Sequence, residues 1–340
     1  FFLKYAISLQ KKFEKMNTIG LGNALVDVLL RLDSDEVLAE VGIKKGAMDM
    51  INQEQMIAIR KTQERLERSQ APGGSVCNTM RAMACLGANT GFIGKIGTDS
   101  VGEFYEQTLK DASVAPYFIK TPGISGSCTV LISKDGERSM GTFLGPAPTI
   151  TPDEIKEEIL SQYDCIYIEG YLLVNEELVR TTMQKAKKLG LKVALDLSNF
   201  NIVNAFKGLL DDIIPKYVDI LFSNESEAEA FTGLTAHEAV KVLSGMVEVS
   251  LVTLGKEGAL VGSNGQVIAV PAEGGKPIDT TGAGDHFAAG FLYGQSIGAG
   301  LEQSARIGSL LAGYIIDVIG AQIPDDKWEQ IKLKVDTILS

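Results

Sequence analysis

The stretch Asp279-Thr280-Thr281-Gly282-Ala283-Gly284-Asp285 decides how the rest of the chain is read. It lies between a strand-like run, Gln266 to Val270, and an apolar, small-residue segment, His286 to Ile297, whose pattern predicts a helix. Two glycines flank one alanine, so the backbone can approach a ligand closely and take a positive φ. The first N–H groups of the helix that follows have no internal partners and favour an anion. Asp285, at the helix start, either caps the helix or does chemistry. Taken alone, the stretch supports both a plain glycine turn and a phosphate site.

Composition narrows the choice. The 340 residues suffice for one large α/β domain or two average ones, and the formal charge is 32 − 43 = −11 with no dense basic run. Nucleic acid is therefore not expected as a partner, because phosphate backbones call for clustered Lys and Arg. An acidic protein that binds a polyanion uses backbone dipoles and a metal cation instead. Cys77, Cys85, Cys128 and Cys165 form no CxxC and read as free thiols in a reducing cytosol. Two histidines, His237 and His286, leave little material for a zinc site or a Ser-His-Asp triad. Phe1 to Lys15 puts apolar residues before lysines, the reverse of a secretory signal, and is too short to span a bilayer. It is read as a tag or non-native extension ahead of Met16, and the protein as cytoplasmic with no membrane partner.

In chain order, Gly20-Leu21-Gly22 resembles the opening of a dinucleotide fingerprint, but Leu25 stands where the third glycine belongs. Val26 to Leu30 continues as strand and places Asp27 in an apolar run, where an acid must find partners or face a site. A helix over Asp35–Val41, a strand over Ala47–Ile51 and an amphipathic helix over Asn52–Arg68 are expected next. The loop Ala71-Pro72-Gly73-Gly74-Ser75-Val76-Cys77-Asn78-Thr79 opens a small-residue helix, with Ser75 as the expected N-cap and Asn78 on the first turn. Phe92–Gly97 and Val101–Ala112 read as strand and helix. Ser127–Ile132 and Arg138–Phe143 form a hairpin around Asp135-Gly136. With Val26–Leu30 and Ala47–Ile51 they make a small separate sheet, able to act as a lid.

Regular alternation then resumes: strands at Cys165–Glu169, Lys192–Leu197, Ile220–Phe222 and Leu251–Leu254, and a helix over Glu176–Leu189 closed by Gly190. Asn264-Gly265 turns a further hairpin, and helices over Leu301–Asp317 and Lys327–Leu339 end the chain. Asp196, Asn224, Thr253 and Asp279 each follow a strand, which is where open α/β sheets bind ligands. The prediction is one Rossmann-like, mainly parallel sheet flanked by helices over residues 16–340, with lid strands from about 24–52 and 115–146.

Neither a Walker A lysine sequence nor the protein-kinase HRD and DFG motifs are present. The chemistry left is phosphoryl transfer to a small hydroxyl compound, which needs a base, donors for developing charge and magnesium. Asp285 is the candidate base, and the N–H groups of Gly282, Ala283 and Gly284 are the candidate anion hole. Asn224 and Glu227, at i and i+3 of an opening helix turn, are candidates to organise Mg²⁺ through water.

Three ordered motifs resemble those of the ribokinase/PfkB carbohydrate-kinase family. Asp279 to Asp285 is similar to its DTxGAGD signature, Gly73-Gly74-Ser75-Val76-Cys77-Asn78 to its glycine signature, and Asn224-Glu225-Ser226-Glu227 to its NxxE motif. The resemblance covers roughly residues 16 to 325. It implies an ATP-dependent kinase with a β-sheet lid and Asp285 as base. Asn23, Asp27, Gly73, Gly74 and Asn78 would bind the acceptor, and Asp196, Asn224, Glu227, Thr253 and Gly255 the nucleotide. A monovalent cation such as K⁺ would sit at Asp279 and Thr281.

Gly22-Asn23-Ala24-Leu25-Val26-Asp27 and Asp196-Leu197-Ser198 resemble the adenosine-kinase branch, so a nucleoside, adenosine first, is the expected acceptor, with ribose or fructose as the alternative. Met140, Phe143 and Phe200 are candidate base contacts. His286 is either a proton relay or a helix-face residue turned from the site. A non-catalytic nucleotide or sugar sensor is the rival outside enzymology, and an oxidoreductase the rival within it. The lid edge also admits a homodimer as well as a monomer.

Overall fold

The computed structural model describes residues 16–63, 66–274 and 277–340. The expected extension, residues 1–15, lies outside the described residues. A nine-stranded sheet forms the body. From edge to edge its strands are Gln266–Val270, Ala259–Ser263, Val249–Thr253, Ile220–Asn224, Lys192–Asp196, Cys165–Glu169, Thr18–Leu21, Thr90–Gly97 and Val114–Thr121. All neighbours from Val249–Thr253 to Val114–Thr121 run parallel, and the first three strands are antiparallel.

The central strands are apolar through most of their length because both faces are covered, with polar residues mainly at their ends. Cys165 and Tyr167 point into one core with Phe222, Phe287 and Phe291, while Ile166 and Ile168 point into the other with Leu195, Met183 and Ile213. The Glu176–Leu189 helix lies on the second face. Asn175 caps it by accepting from Leu178 N–H, and Gly190 ends it at φ +84°. On the first face, the helices Ala283–Ser296 and Leu301–Ile315 pack backbone to backbone. A Cβ on Gly290 would stand 2.5 Å from the Ile307 carbonyl oxygen, so small residues are what let this pair close.

A second sheet has five strands in the order Met48–Met50, Arg138–Phe143, Gly126–Ile132, Leu25–Arg31 and Arg68–Gly73. One face, with Val28 and Leu30, is buried with Met56 and Ile59 of the Gln53–Gln63 helix. Three expectations are corrected here. Of the helix expected over Asn52–Arg68, Gln53–Gln63 is described as helix, and Arg68–Gly73, expected as helix end and the start of a loop, is a strand antiparallel to Leu25–Arg31. Its polar Arg68-Ser69-Gln70 and Pro72 hid it, and they suit the edge position it takes. Val114–Thr121, counted with the lid from residue 115, instead pairs with Thr90–Gly97 at the edge of the large sheet. The hairpin of the lid therefore starts at Gly126. Thr151 precedes a single 3₁₀ turn over Pro152–Glu154. No helix among the described residues is long and apolar enough to cross a membrane.

Candidate active site

The chain leaves Thr18–Leu21 toward one edge of the large sheet and returns through Cys165–Glu169 toward the other. The strand order therefore reverses between these two neighbours, and the carboxyl ends there open a crevice. Asp196, Asn224 and Thr253 terminate successive strands along that crevice.

Gly282 takes φ +77° and precedes the Ala283–Ser296 helix, placing Asp285 in its first turn. Ahead of the turn, Asp279 Oδ1 accepts from Thr281 N–H at 3.0 Å and from the Thr281 hydroxyl at 2.7 Å. Its Oδ2 accepts from Gly320 N–H at 3.0 Å and from Arg138 Nη1 at 3.2 Å. Partial burial pushes the Asp279 carboxyl up, but these donors outweigh it and hold it at about 2. Arg138 comes from the small sheet, so this ion pair ties that sheet to the turn. The Ala283 N–H folds back on the Thr280 carbonyl at 3.2 Å. Of the three expected anion-hole donors, the Gly282 and Gly284 N–H groups are the ones that no acceptor outside the helix takes among the described residues.

Asp285 Oδ2 accepts from Asn78 Nδ2 at 2.8 Å, and the Thr79 hydroxyl donates to the Asp285 carbonyl at 3.1 Å. The two glycine loops expected from sequence thus meet through a side-chain bond between positions 207 apart. Desolvation and the carboxylates of Asp196, Glu169 and Asp27 push the Asp285 carboxyl up to about 7, against the Asn78 bond. Asp27 is half-buried on a central strand of the small sheet, and desolvation raises it to about 6. A Cβ on Gly73 would lie 2.4 Å from the Asp27 carboxylate, so any larger residue would displace that side chain. Gly74 takes φ +90° and is the residue before the Ser75–Cys85 helix, in place of the expected Ser75 cap.

Asn23 is buried. Its N–H and its Nδ2 both donate to Glu169 Oε1, at 2.8 and 2.6 Å. Glu169 is a residue the sequence reasoning missed, although an acid closing the apolar run Cys165-Ile166-Tyr167-Ile168 was its visible signal. Asn224 and Glu227 form a capping box in which Asn224 N–H and Nδ2 donate to the two Glu227 oxygens and Glu227 N–H donates to Asn224 Oδ1. Burial and the neighbouring Asp196 push Glu227 up to about 7. Asp196, itself raised by burial, accepts from Ser198 N–H at 2.7 Å and from the Tyr167 hydroxyl at 2.9 Å.

A cavity of about 260 Å³ brings Asp196, Asn224, Glu227, Thr253, Gly282, Gly284 and Asp285 onto one wall system. It shares Thr253, Thr280, Ala283, Gly284 and Phe287 with a second cavity of about 350 Å³, lined also by Gly255, Ala272, Ala312 and Ile316. A polar, helix-ended chamber beside a largely apolar one suits a triphosphate joined to a flat base. His286 is buried, its Nδ1 lies 2.9 Å from the Gly282 carbonyl, and burial lowers it to about 4. A neutral histidine there buttresses the turn and lines neither cavity.

Met140 shares the Asp27 face of the small sheet, but Phe143 alternates to the other side and packs on the core, and Phe200 lies exposed. No group of three or more His, Cys, Asp or Glu side chains able to hold a metal ion occurs among the described residues. Mg²⁺ does fit the site in the form the chemistry favours, water-clad and carried by phosphate. Glu227 is buried and Asp196 half-buried, and the Asp196 charge raises the Glu227 carboxyl, an arrangement that a cation would relieve.

Comparison with known proteins agrees with this geometry. The chain is 30% identical to an adenosine kinase of Saccharomyces cerevisiae over 333 residues, covering 91% of this chain and 97% of that one. It superposes on the crystal structure of adenosine kinase from Sinorhizobium meliloti with a TM-score of 0.79 at 32% identity, covering 91% of this chain and 96% of that one. A probable sugar kinase from Rhizobium etli superposes with a TM-score of 0.80 at 28% identity, covering 94% and 99%. The profile of the pfkB family of carbohydrate kinases matches residues 40–328. The chain belongs to that family, and is a phosphotransferase with an alcohol group as acceptor.

Proposed function

We propose that this kinase transfers the γ-phosphoryl group of ATP to the primary hydroxyl of a nucleoside, with the 5′-hydroxyl of adenosine as the first candidate. The observation that carries this reading is a set of acceptors left without donors. Asp285 Oδ1 and the Asp27 carboxylate accept no hydrogen bond among the described residues, and Asn78 Oδ1 is buried without a partner. A buried acceptor such as Asn78 Oδ1 is costly unless a ligand supplies a donor, and the half-buried Asp285 and Asp27 carboxylates stand beside it with acceptor capacity to spare. A ribose ring supplies donors through its hydroxyls.

In this reading Asp285 Oδ1 takes the proton of the attacking hydroxyl while Asn78 holds Oδ2. A base titrating at about 7 is matched to work near neutrality. The N–H groups of Gly282 and Gly284, with the helix N-terminus behind them, face the charge on the transferred group. Mg²⁺, when bound, neutralises phosphate charge. Glu227 and Asn224 would hold its waters, and Thr253 and Gly255 would lie along the nucleotide.

The apolar row Leu29, Val130 and Met140, on the same face as Asp27, is the surface offered to a base. A free sugar such as ribose or fructose is the second reading, supported by the likeness to the Rhizobium etli protein. An ADP-release screen over nucleosides and common sugars tests the assignment. Adenosine should give the highest kcat/KM. Turnover of ribose or fructose with no nucleoside accepted would refute it.

A further inference from the structure

The chain crosses between the two sheets twice near Asp285, and one buried carboxylate bonds to both crossings. On the way out, Gly22-Asn23-Ala24 joins Thr18–Leu21 to Leu25–Arg31. On the way back, Gly74 joins Arg68–Gly73 to the Ser75–Cys85 helix. Glu169, at the C-terminal end of Cys165–Glu169, is 1% exposed. Its Oε1 accepts from both Asn23 N–H and Asn23 Nδ2 on the outgoing crossing. Its Oε2 accepts from the Ser75 hydroxyl at 3.3 Å, and the Val76 N–H supports the carboxylate from the returning one. No lysine or arginine pairs with it among the described residues.

The space is built around this group. A Cβ on Gly22 would stand 2.8 Å from Glu169 Oε2, and one on Gly74 would stand 2.6 Å from the Asn23 carbonyl oxygen. The two crossings therefore lie against each other as well as against Glu169. Glu169 lines neither of the cavities that hold Asp285 and Thr253. Its effect on chemistry must pass through the segments it holds.

We propose that Glu169 is a positioning residue. It pins the outgoing and returning crossings together, and so sets the Ser75–Cys85 helix, with Asn78 on its first turn, against Asp285. The kinetic consequence rests on the kinase reading above, whereas the pinning does not.

Glu169→Gln keeps the size of the side chain and one acceptor oxygen, but turns an amide toward donors on one crossing. Amide hydrogen exchange at Asn23 or Val76 should speed by about tenfold, the effect of one lost bond of ordinary net strength. The acceptor KM should rise about tenfold with the KM for ATP within about twofold, because only the acceptor side is misplaced. The acid limb of the pH profile should move to lower pH, since Asp285 loses one of the three carboxylates (Asp196, Glu169 and Asp27) that face it.

Unchanged exchange at both amides would overturn the proposal. So would a parallel rise of both KM values with the acid limb unmoved, which is the signature of general loosening. Ser75→Ala removes only the hydroxyl on the returning side and decides the matter if the glutamine variant does not fold. It should speed exchange at Val76 and leave Asn23 unchanged, and equal rates at Val76 in variant and wild type would count against pinning. A wild-type enzyme that accepts neither nucleosides nor sugars would refute the kinase reading, while the exchange data would still judge Glu169.

Discussion

Replacing Asp285 by Asn should abolish most turnover while making the folded protein more stable at alkaline pH. The carboxyl has an ordinary value of 3.8 and stands at about 7 in the folded chain. Between those two values the folded state binds more protons than the unfolded state, so stability falls as pH rises through the window. Below about pH 3.8 the group costs nothing; above pH 7 its full penalty applies. At 1.36 kcal/mol per unit the ceiling is about 4 kcal/mol, and the part that accrues between pH 5 and pH 8 is about 2–3 kcal/mol.

The amide introduced by this substitution would keep the bond from Asn78 Nδ2 through its carbonyl oxygen and would carry no charge. Urea unfolding at pH 5 and pH 8 should therefore show Asp285→Asn gaining on wild type by about 2 kcal/mol more at the higher pH. In the same preparation kcat should fall about a thousandfold, within the roughly 10²–10⁴ range of general-base catalysis, with ATP affinity kept. A variant that turns over at the wild-type rate would refute the base assignment. A variant whose stability tracks wild type at both pH values would refute the electrostatic account.

Asn78→Ala removes the donor that lowers the Asp285 carboxyl, so the acid limb of kcat/KM should move to higher pH, and the acceptor KM should rise by about 10–100-fold. The pH dependence of initial rates checks both. Glu227→Gln retains the capping box, because Gln serves at that position as well as Glu, but removes the charge. Its Mg²⁺ requirement should rise about tenfold, and unchanged Mg²⁺ titration of activity would remove Glu227 from the cation's shell. At the positions suggested for K⁺, Asp279 already accepts four hydrogen bonds, one of them from the Arg138 guanidinium. Exchanging K⁺ for choline should change kcat/KM by less than about twofold, because a resident cationic side chain already serves that carboxylate. Strong K⁺ activation would show that Arg138 leaves the site during turnover.

The parts of this protein legible in the sequence are those set by local chemistry. Gly282-Ala283-Gly284 announces a turn and a helix N-terminus. Asn224 and Glu227 announce a capping box, Asp135-Gly136 and Asn264-Gly265 their hairpins, and the run Cys165 to Ile168 a strand covered on both faces. Spacing along the chain determines each of these, since caps, turns and the two-residue strand period act over a few residues.

Tertiary structure decided what those pieces face. Arg68–Gly73 pairs as an edge strand against its polar composition, and Val114–Thr121 joins the large sheet although it precedes the hairpin of the small one. Nothing near Asn23 in sequence says that its amide is taken by Glu169, 146 positions on, or that Asp279 meets Arg138. Even the raised carboxyl of Asp285 depends on Asp196, Glu169 and Asp27, which only the fold gathers. Burial and charge proximity are properties of space rather than of spacing. The sequence alone therefore marked a carboxylate at a glycine turn that opens a helix, while the fold decided how strongly that carboxylate holds its proton and which side chains stand around it.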